Sequence, residues 1–249
     1  MTMVQAFKDH GTGIGQTFSA LMKGKFLLFF IPGLIISLVY FYFQYQSSRL
    51  ETLAHSGDSI PLIGSAVSVV VDSVFGIFNA IASETYKFIL LIALSPLNCI
   101  LSEKFDSYLS GTAFEFSFIR LVKDFIRMIF IVISALILEY FFLAVWWVLQ
   151  WIFPDFIGDT LFFIISSFFI GFSFYDYSME RYGMSFLSSW GLGFSKLSYM
   201  ILTGAVFNLI MQIPVAGIVL APVLCAMIST AVYILILKRK HTQKPMLNQ

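Results

Sequence analysis

Charged side chains are scarce in this sequence, and the 41 residues between Lys196 and Lys238 carry none at all. As a single helix this run would be about 60 Å long, roughly twice the hydrocarbon thickness of a bilayer. It must therefore fold back on itself, and Pro214 and Gly217 near its middle predict where it turns. Because lipid cannot satisfy backbone groups, we expect the turn to be buried in protein or wetted from one side.

Only 12 % of the residues are charged, whereas 59 % are hydrophobic and the mean hydropathy is +0.88. A soluble domain has about 25 % charged residues. The composition therefore predicts one all-α integral membrane domain over residues 1–249, with the lipid bilayer as its partner. Cysteine is also scarce: Cys99 and Cys225 both lie in apolar runs, which favours packing over a disulfide or a metal site.

Charge-free windows predict the individual segments. The stretch 59–102, which is interrupted by Asp72, Glu84 and Lys87, is expected to end or kink at Pro96. One apolar arm, at 160–175, has 16 residues and would reach only about 24 Å. The hairpins of this protein could therefore cross only part of the bilayer. The predicted segments are, in chain order, transmembrane helices at 26–48 and 59–102, and helical hairpins at 128–177 and 197–237.

Residues 1–25 are predicted to form an amphipathic segment on the cytoplasmic membrane surface. Apolar side chains recur there at roughly helical spacing, although three glycines weaken the pattern. The recurring residues are Val4, Phe7, Ile14, Phe18 and Leu21.

Lys and Arg are distributed unevenly along this path. Of the 15 basic residues, 13 fall on one side, whereas Arg49 falls on the other and Lys87 lies within a helix. By the positive-inside rule, both termini are expected in the cytoplasm. Arg120, Lys123 and Arg127 share one helical face, which favours anchoring at lipid headgroups over substrate binding. The 13 residues are Lys8, Lys23, Lys25, Lys104, Arg120, Lys123, Arg127, Arg181, Lys196, Lys238, Arg239, Lys240 and Lys244.

Side chains for enzymatic chemistry are few. His10, His55 and His241 lie in predicted aqueous segments, and no two have metal-ligand spacing. The stretch 171–174 matches the Gly-x-Ser-x pattern of rhomboid proteases, but Ser173 has no membrane-embedded histidine to act as its base. We therefore expect no enzymatic activity, no cofactor and no metal, and no nucleic-acid partner.

Charges inside the apolar windows are better functional candidates. Glu139 lies near the centre of its window, where a carboxylate costs about 2.5 to 3.5 kcal/mol, so it should face protein or water. Two roles are open for it: packing against a neighbouring helix, or gating and proton coupling. Asp72, Asp176 and the Glu180–Arg181 pair lie nearer the predicted helix ends, where solvation is expected.

Three blocks of the sequence carry a family resemblance. The first block contains Ser95, Pro96, Leu97 and Asn98 and continues to Glu103. The second block begins with Tyr175, Asp176, Tyr177 and Ser178. The third block runs from Ile213 and Pro214 through Ala221 and Pro222 to Ala231. In this order they resemble the Pro-Phe-Asn segment, the Asp-Tyr-Pro segment and the final hairpin of the CysZ sulfate-transport proteins. The eukaryotic etoposide-induced endoplasmic reticulum membrane proteins belong to the same family.

The resemblance implies an inner-membrane protein that assembles as a homo-oligomer and passes sulfate for cysteine synthesis. In the family, a glycine followed by an arginine before the first membrane helix contributes to sulfate binding. Lys23, Gly24 and Lys25 hold that place here, where two ammonium groups and the backbone N–H groups of a helix start could hold a small dianion.

We therefore expect a membrane permease or channel for a small inorganic anion, sulfate foremost. Two alternatives stay open. The lysines could serve only positive-inside anchoring, and the whole chain could be a membrane scaffold that transports nothing.

Overall fold

The computed structural model describes residues 3–55, 64–113, 117–149, 155–213 and 215–243. Within these ranges the chain contains eight α-helices and no strand, which confirms the all-α class. Pro214 and residues 59–63 of the predicted segments lie outside the described residues, as do the side chains of Arg49 and Asp72. The helices are α1 (Met3–Met22), α2 (Phe30–His55), α3 (Gly64–Ser110), α4 (Phe118–Leu149), α5 (Asp155–Arg181), α6 (Phe186–Ser195), α7 (Leu197–Met211) and α8 (Ala216–Gln243).

Four helices are long and apolar enough to cross a bilayer without a break. Two further pairs pass the same test only together: α1 with the start of α2, bent by 101°, and α6 with α7, bent by 90°. The chain thus has the build of a multi-pass membrane protein. The four unbroken stretches are Tyr86–Ser110 in α3, Phe118–Leu149 in α4, Ile157–Arg181 in α5 and Ala216–Arg239 in α8.

The predicted reversal of the charge-free run is confirmed. Helix α7 ends at Met211 and α8 begins at Ala216. The Gly217 N–H donates to the Ile213 carbonyl at 2.8 Å, and a side chain at Gly217 would crowd the last turn of α7. Glycine is therefore needed where α8 starts, because the returning backbone passes so close to the helix it leaves.

The sequence predicts that the long second helix either ends or kinks at Pro96. It does not end there, because α3 continues from Gly64 to Ser110. Proline has no N–H to give to the carbonyl four residues earlier, which here belongs to Ile92. The Ser95 hydroxyl donates to that carbonyl at 2.9 Å. A neighbouring side chain thus replaces the missing backbone hydrogen bond and lets the helix pass through the proline.

Helix α5 is longer than its apolar run. It spans 27 residues, or about 40 Å, and passes through Asp176 and Glu180 as far as Arg181. The charge-free window underestimated this helix because those charges are paired inside the bundle.

Helix α8 occupies the centre of the bundle and packs against α1, α2, α3, α5 and α7. Helix α1 contributes small and polar side chains to this packing, and its buried residues are Ala6, Asp9, His10, Gly13, Thr17 and Ala20. Its large apolar side chains Val4, Phe7 and Phe18 are exposed. The segment thus presents three of its five recurring apolar residues to the surroundings, while Ile14 and Leu21 pack against the core.

Helices α5 and α7 cross at two glycines. A Cβ atom on Gly171 would overlap the backbone carbonyl of Met200, and one on Gly204 would overlap that of Ser167. Small residues at such crossings let the backbones of membrane helices approach closely. No side-chain movement can make room for a larger residue, because the obstacle is main chain.

We predict that Gly204→Ala lowers the free energy of unfolding by about 2 kcal/mol or more, as expected for overpacking against a rigid backbone. Thermal unfolding of the purified protein in detergent measures the change. Gly191→Ala is the matched control, because nothing lies within 4 Å of its Cβ position. Equal melting temperatures for the two variants would contradict the close crossing.

Candidate functional site

The predicted anion site lies where α1 ends, before the short 3-10 turn Leu27–Phe29. Lys23, Gly24 and Lys25 are all exposed. The Lys25 ammonium group lies 4.2 Å from the centre of the Tyr108 ring, near the C-terminal end of α3. A cation over an aromatic face is stabilised by the ring quadrupole, so this contact attaches the linker to α3.

Gly24 serves as the C-terminal cap of α1. Its φ is +71°, its N–H donates to the Leu21 carbonyl at 2.9 Å, and the Lys25 N–H donates to the Ala20 carbonyl at 3.2 Å. This pair of bonds is a Schellman motif. Both N–H groups are therefore committed to α1, so an anion bound here would be held by the two ammonium groups.

The predicted burial of Glu139 is confirmed, because its side chain is only 2 % exposed. It lies on the buried face of α4 with Val132 and Ala135. Glu139 is 21 residues, or about 32 Å, along α4 from Phe118, and α4 begins next to the end of α3. The structure thus places Glu139 far from Lys25, and its role in gating or coupling stays a prediction.

Arg127 on α4 joins three helices at one end of the bundle. Its guanidinium donates two hydrogen bonds, of 2.8 and 3.1 Å, to the Asp176 carboxylate on α5. It also donates to the Ser189 hydroxyl at 2.8 Å and to the Met184 carbonyl at 2.7 Å, and it lies 3.5 Å from the Glu180 carboxylate. Arginine is suited to this position because its fork offers five donors in a fixed plane.

Arg181 on α5 makes a second junction, with α3. Its Nε lies 3.1 Å from a carboxylate oxygen of Asp106, and its Nη2 donates to Ser102 at 3.0 Å and to Ser178 at 3.1 Å. The Ser102 and Thr230 hydroxyls are 2.7 Å apart, which extends the junction to α8. We name six residues along this line the polar seam, five of them buried and Arg181 partly buried. They are Asn98, Ser102, Asp106, Ser178, Arg181 and Thr230.

A neighbouring face of α3 carries a small polar pocket towards α4. Cys99 donates to the Asp124 carboxylate at 3.2 Å, and Arg120 forms an ion pair with Glu103. These four residues and Ser117 line the pocket together with apolar neighbours. Among the residues that the structure describes, no group of three or more His, Cys, Asp or Glu side chains could hold a metal ion.

Tyr182 closes the outer end of the polar seam. Its hydroxyl donates to Asp106 at 3.0 Å. Partial burial, together with the Asp106 carboxylate, raises the pKa of Tyr182 to about 12. The phenol therefore stays protonated at neutral pH and keeps donating to the carboxylate that faces Arg181.

A second buried polar cluster attaches α1 to the bundle. Asp9 pairs with Arg239 on α8 and accepts a bond of 2.8 Å from Tyr199 on α7. His10, expected in an aqueous segment, is buried, with Nε2 2.9 Å from the Thr203 hydroxyl. Its Nδ1 lies 2.8 Å from the backbone carbonyl four residues earlier, so that nitrogen carries the proton.

Two sequence-based interpretations are corrected here. The sequence pattern makes Arg127 a headgroup anchor and makes Asp176 and Arg181 solvated helix ends. In the structure the three side chains instead form ion pairs within the bundle, where Asp176 is buried and both arginines are partly buried. One feature of the sequence could have predicted the ion pair between Arg127 and Asp176. Arg127 and Asp176 are nearly equidistant from the connection between α4 and α5, and residues equidistant from a hairpin turn face each other.

Comparison with known proteins found no family model that matches the chain and no curated protein that matches it. The three sequence blocks therefore carry the family resemblance by themselves.

We predict that Arg127→Met destabilises the protein by about 3 kcal/mol, because it leaves the buried Asp176 carboxylate without its partner. Adding Asp176→Leu should restore much of the loss, since both charges are then removed. Unfolding in detergent tests the pair, with Lys123→Met, an exposed site one turn earlier on α4, as control. An Arg127→Met protein that melts like wild type would show that the network contributes nothing to stability.

Proposed function

We propose that this chain is a membrane permease or channel for a small inorganic anion, with sulfate as the expected substrate, and that it supports sulfur assimilation. The observation that carries the proposal is the polar seam between α3, α5 and α8. Ionisable and polar residues inside membrane helices are costly, and they commonly mark the path of an ion or substrate. The six side chains lie on three helices that contain stretches long and apolar enough to cross a bilayer.

The fold and the sequence blocks add to this proposal. A bundle with two bent helix pairs offers the irregular backbone that transporters use near their binding sites. The resemblance to the CysZ proteins supplies the substrate class, an inner (plasma) membrane location and a homo-oligomeric assembly, and the uneven distribution of Lys and Arg supplies the cytoplasmic termini. We include all four in the proposal.

A non-transporting membrane scaffold is the second candidate. The bonding of Arg127 favours it, since this guanidinium reaches Asp176, Ser189 and a backbone carbonyl. Such a network needs no ligand to hold α4, α5 and α6 together. The two candidates differ in one property, ion flux.

Uptake into proteoliposomes distinguishes them. Purified protein should take up radiolabelled sulfate at least tenfold faster than protein-free liposomes, and unlabelled sulfate should compete better than chloride. Uptake no faster than in empty vesicles, across sulfate, thiosulfate and phosphate, would favour the scaffold.

The same assay tests the two predicted sites. Lys23→Gln with Lys25→Gln should slow uptake, most strongly at low ionic strength, because exposed charges are screened beyond about 8 Å at physiological salt. Gly24→Asn should have little effect, since asparagine tolerates the left-handed backbone of the cap.

Glu139→Gln should change flux without changing insertion; unchanged flux would leave Glu139 a packing residue.

A further inference from the structure

Four aromatic rings join the linker between α1 and α2 to the last turns of α3. The Phe26 ring meets the Phe105 ring at a centroid distance of 5.5 Å and the Tyr108 ring at 5.9 Å, edge to face in both cases. The Phe29 ring lies 6.5 Å from Phe26. Edge-to-face packing is a preferred arrangement of aromatic pairs. We name these four residues the aromatic cluster.

The backbone of Phe26 has an unusual conformation at this corner. Its φ is +66° and its ψ is 5°, a left-handed conformation that bulky residues rarely adopt. Such strain persists only where the surroundings determine it, and it often marks a functional site. Here the ring contacts with α3 hold Phe26, and the chain bends by 101° between α1 and α2. The bend leaves Leu27 and Leu28 exposed, by 52 % and 77 %.

Two lysines border the same aromatic cluster. The Lys25 ammonium group lies 4.2 Å from the centre of the Tyr108 ring, and the Lys104 ammonium group lies 5.8 Å from the centre of the Phe29 ring. Both lysines are exposed. Lys104 precedes Tyr108 by one turn, so the two share one face of α3. The corner thus brings two cations from different helices next to exposed leucines.

The acidic residues of this part of α3 are engaged elsewhere. Glu103 pairs with Arg120, and Asp106 pairs with Arg181. Among the residues that the structure describes, no carboxylate forms an ion pair with Lys25. The ring beneath its ammonium group occupies only one side of it, and a lysine offers three donors. Lys25 can therefore still bind an anion.

The corner lies where the membrane-crossing stretch of α3 ends. That stretch is Tyr86–Ser110, and both Lys104 and Tyr108 fall within its last two turns. Aromatic rings are enriched at the level of the lipid headgroups, and lysines near helix ends extend their ammonium groups to that level. The aromatic cluster and its two lysines are therefore expected at headgroup depth.

We propose that this corner is a binding site for an anionic phospholipid. The headgroup phosphate lies between Lys25 and Lys104, and the acyl chains run along exposed apolar side chains at the start of α2. Those side chains are Leu27, Leu28 and Ile31. The inference goes beyond the proposed function, because a permease and a scaffold would bind such a lipid alike.

Charge and shape together favour an anionic lipid over other ligands. Basic residues at the membrane surface attract anionic headgroups, whereas a zwitterionic headgroup has no net charge to offer. A free inorganic anion would contact the ammonium groups but would gain nothing from the leucines beside them. An anionic phospholipid matches both the cations and the apolar corner.

Native mass spectrometry of the detergent-purified full-length protein tests the site, with phosphatidylglycerol and phosphatidylcholine of the same acyl chains as probes. Wild type should prefer phosphatidylglycerol by about tenfold, the scale expected for two lysines near the surface. Lys25→Gln with Lys104→Gln should reduce that preference to less than about twofold. Lys8→Gln with Lys238→Gln is the matched control, because it removes the same charge from exposed positions outside the site, and it should keep the preference of wild type.

Equal binding of the two lipids by wild type would overturn the site, as would a control variant that loses as much preference as the site variant. Wild type could instead bind millimolar sulfate without preferring phosphatidylglycerol, and lose that sulfate in the site variant. The corner would then take a free oxyanion, and the lipid proposal would be wrong.

A destabilised double variant would not prevent the test. In that case Lys104→Gln alone decides, and its preference for phosphatidylglycerol should fall at least about twofold. Sulfate uptake into liposomes of pure phosphatidylcholine tests the proposed function separately, so the failure of either proposal can be told from the failure of the other.

Discussion

Pairing of charges inside an apolar bundle is the constraint on which this structure depends. Arg127 and Arg181 lie in helices that cross or approach the bilayer, where an isolated charge is costly. Each reaches a carboxylate on another helix, Asp176 and Asp106 respectively. These pairs fix the positions of α3, α4 and α5 at one end of the bundle, and the hydroxyl contacts extend the same network to α6 and α8.

The two junctions differ in how well their hydrogen bonds are aligned. Around Arg127 the carboxylate, hydroxyl and carbonyl acceptors are aligned, which suits a fixed anchor. Around Arg181 the alignment is looser, since its Nε lies 3.1 Å from Asp106 without the geometry of a hydrogen bond. The bundle thus combines a firm junction between α4 and α5 with a less firmly bonded seam between α3 and α5, next to the proline of α3.

Much of the fold could be predicted from the sequence, since length and charge-free runs alone require a multi-pass helical protein. The reversal between α7 and α8 followed from the same reasoning. The length of α5 did not, because a window that stops at every charge treats Asp176 as exposed, and only tertiary structure shows its partner. The prediction that the helix ends at Pro96 failed for a similar reason. The Ser95 hydroxyl replaces the backbone hydrogen bond that proline cannot make, and this bond is seen only in the folded helix.

The candidate site was less predictable than the fold. Gly24 was expected to help bind an anion, whereas its backbone caps α1; glycine suits both purposes, and the sequence could not separate them. The burial of Glu139 could be predicted from the free-energy cost of exposing a carboxylate to lipid. The polar seam could not, because Asn98, Ser178 and Thr230 are ordinary helix residues until three helices bring them together.

Cysteine labelling at the two ends of α5 tests most directly whether its paired charges let it cross the whole bilayer. In a variant with Cys99 and Cys225 replaced by alanine, single cysteines are placed at Asp159 and at Tyr182, both exposed. A membrane-impermeant maleimide should label the two positions from opposite sides of the membrane. Labelling of both positions from the same side would mean that α5 returns without crossing and would contradict the account.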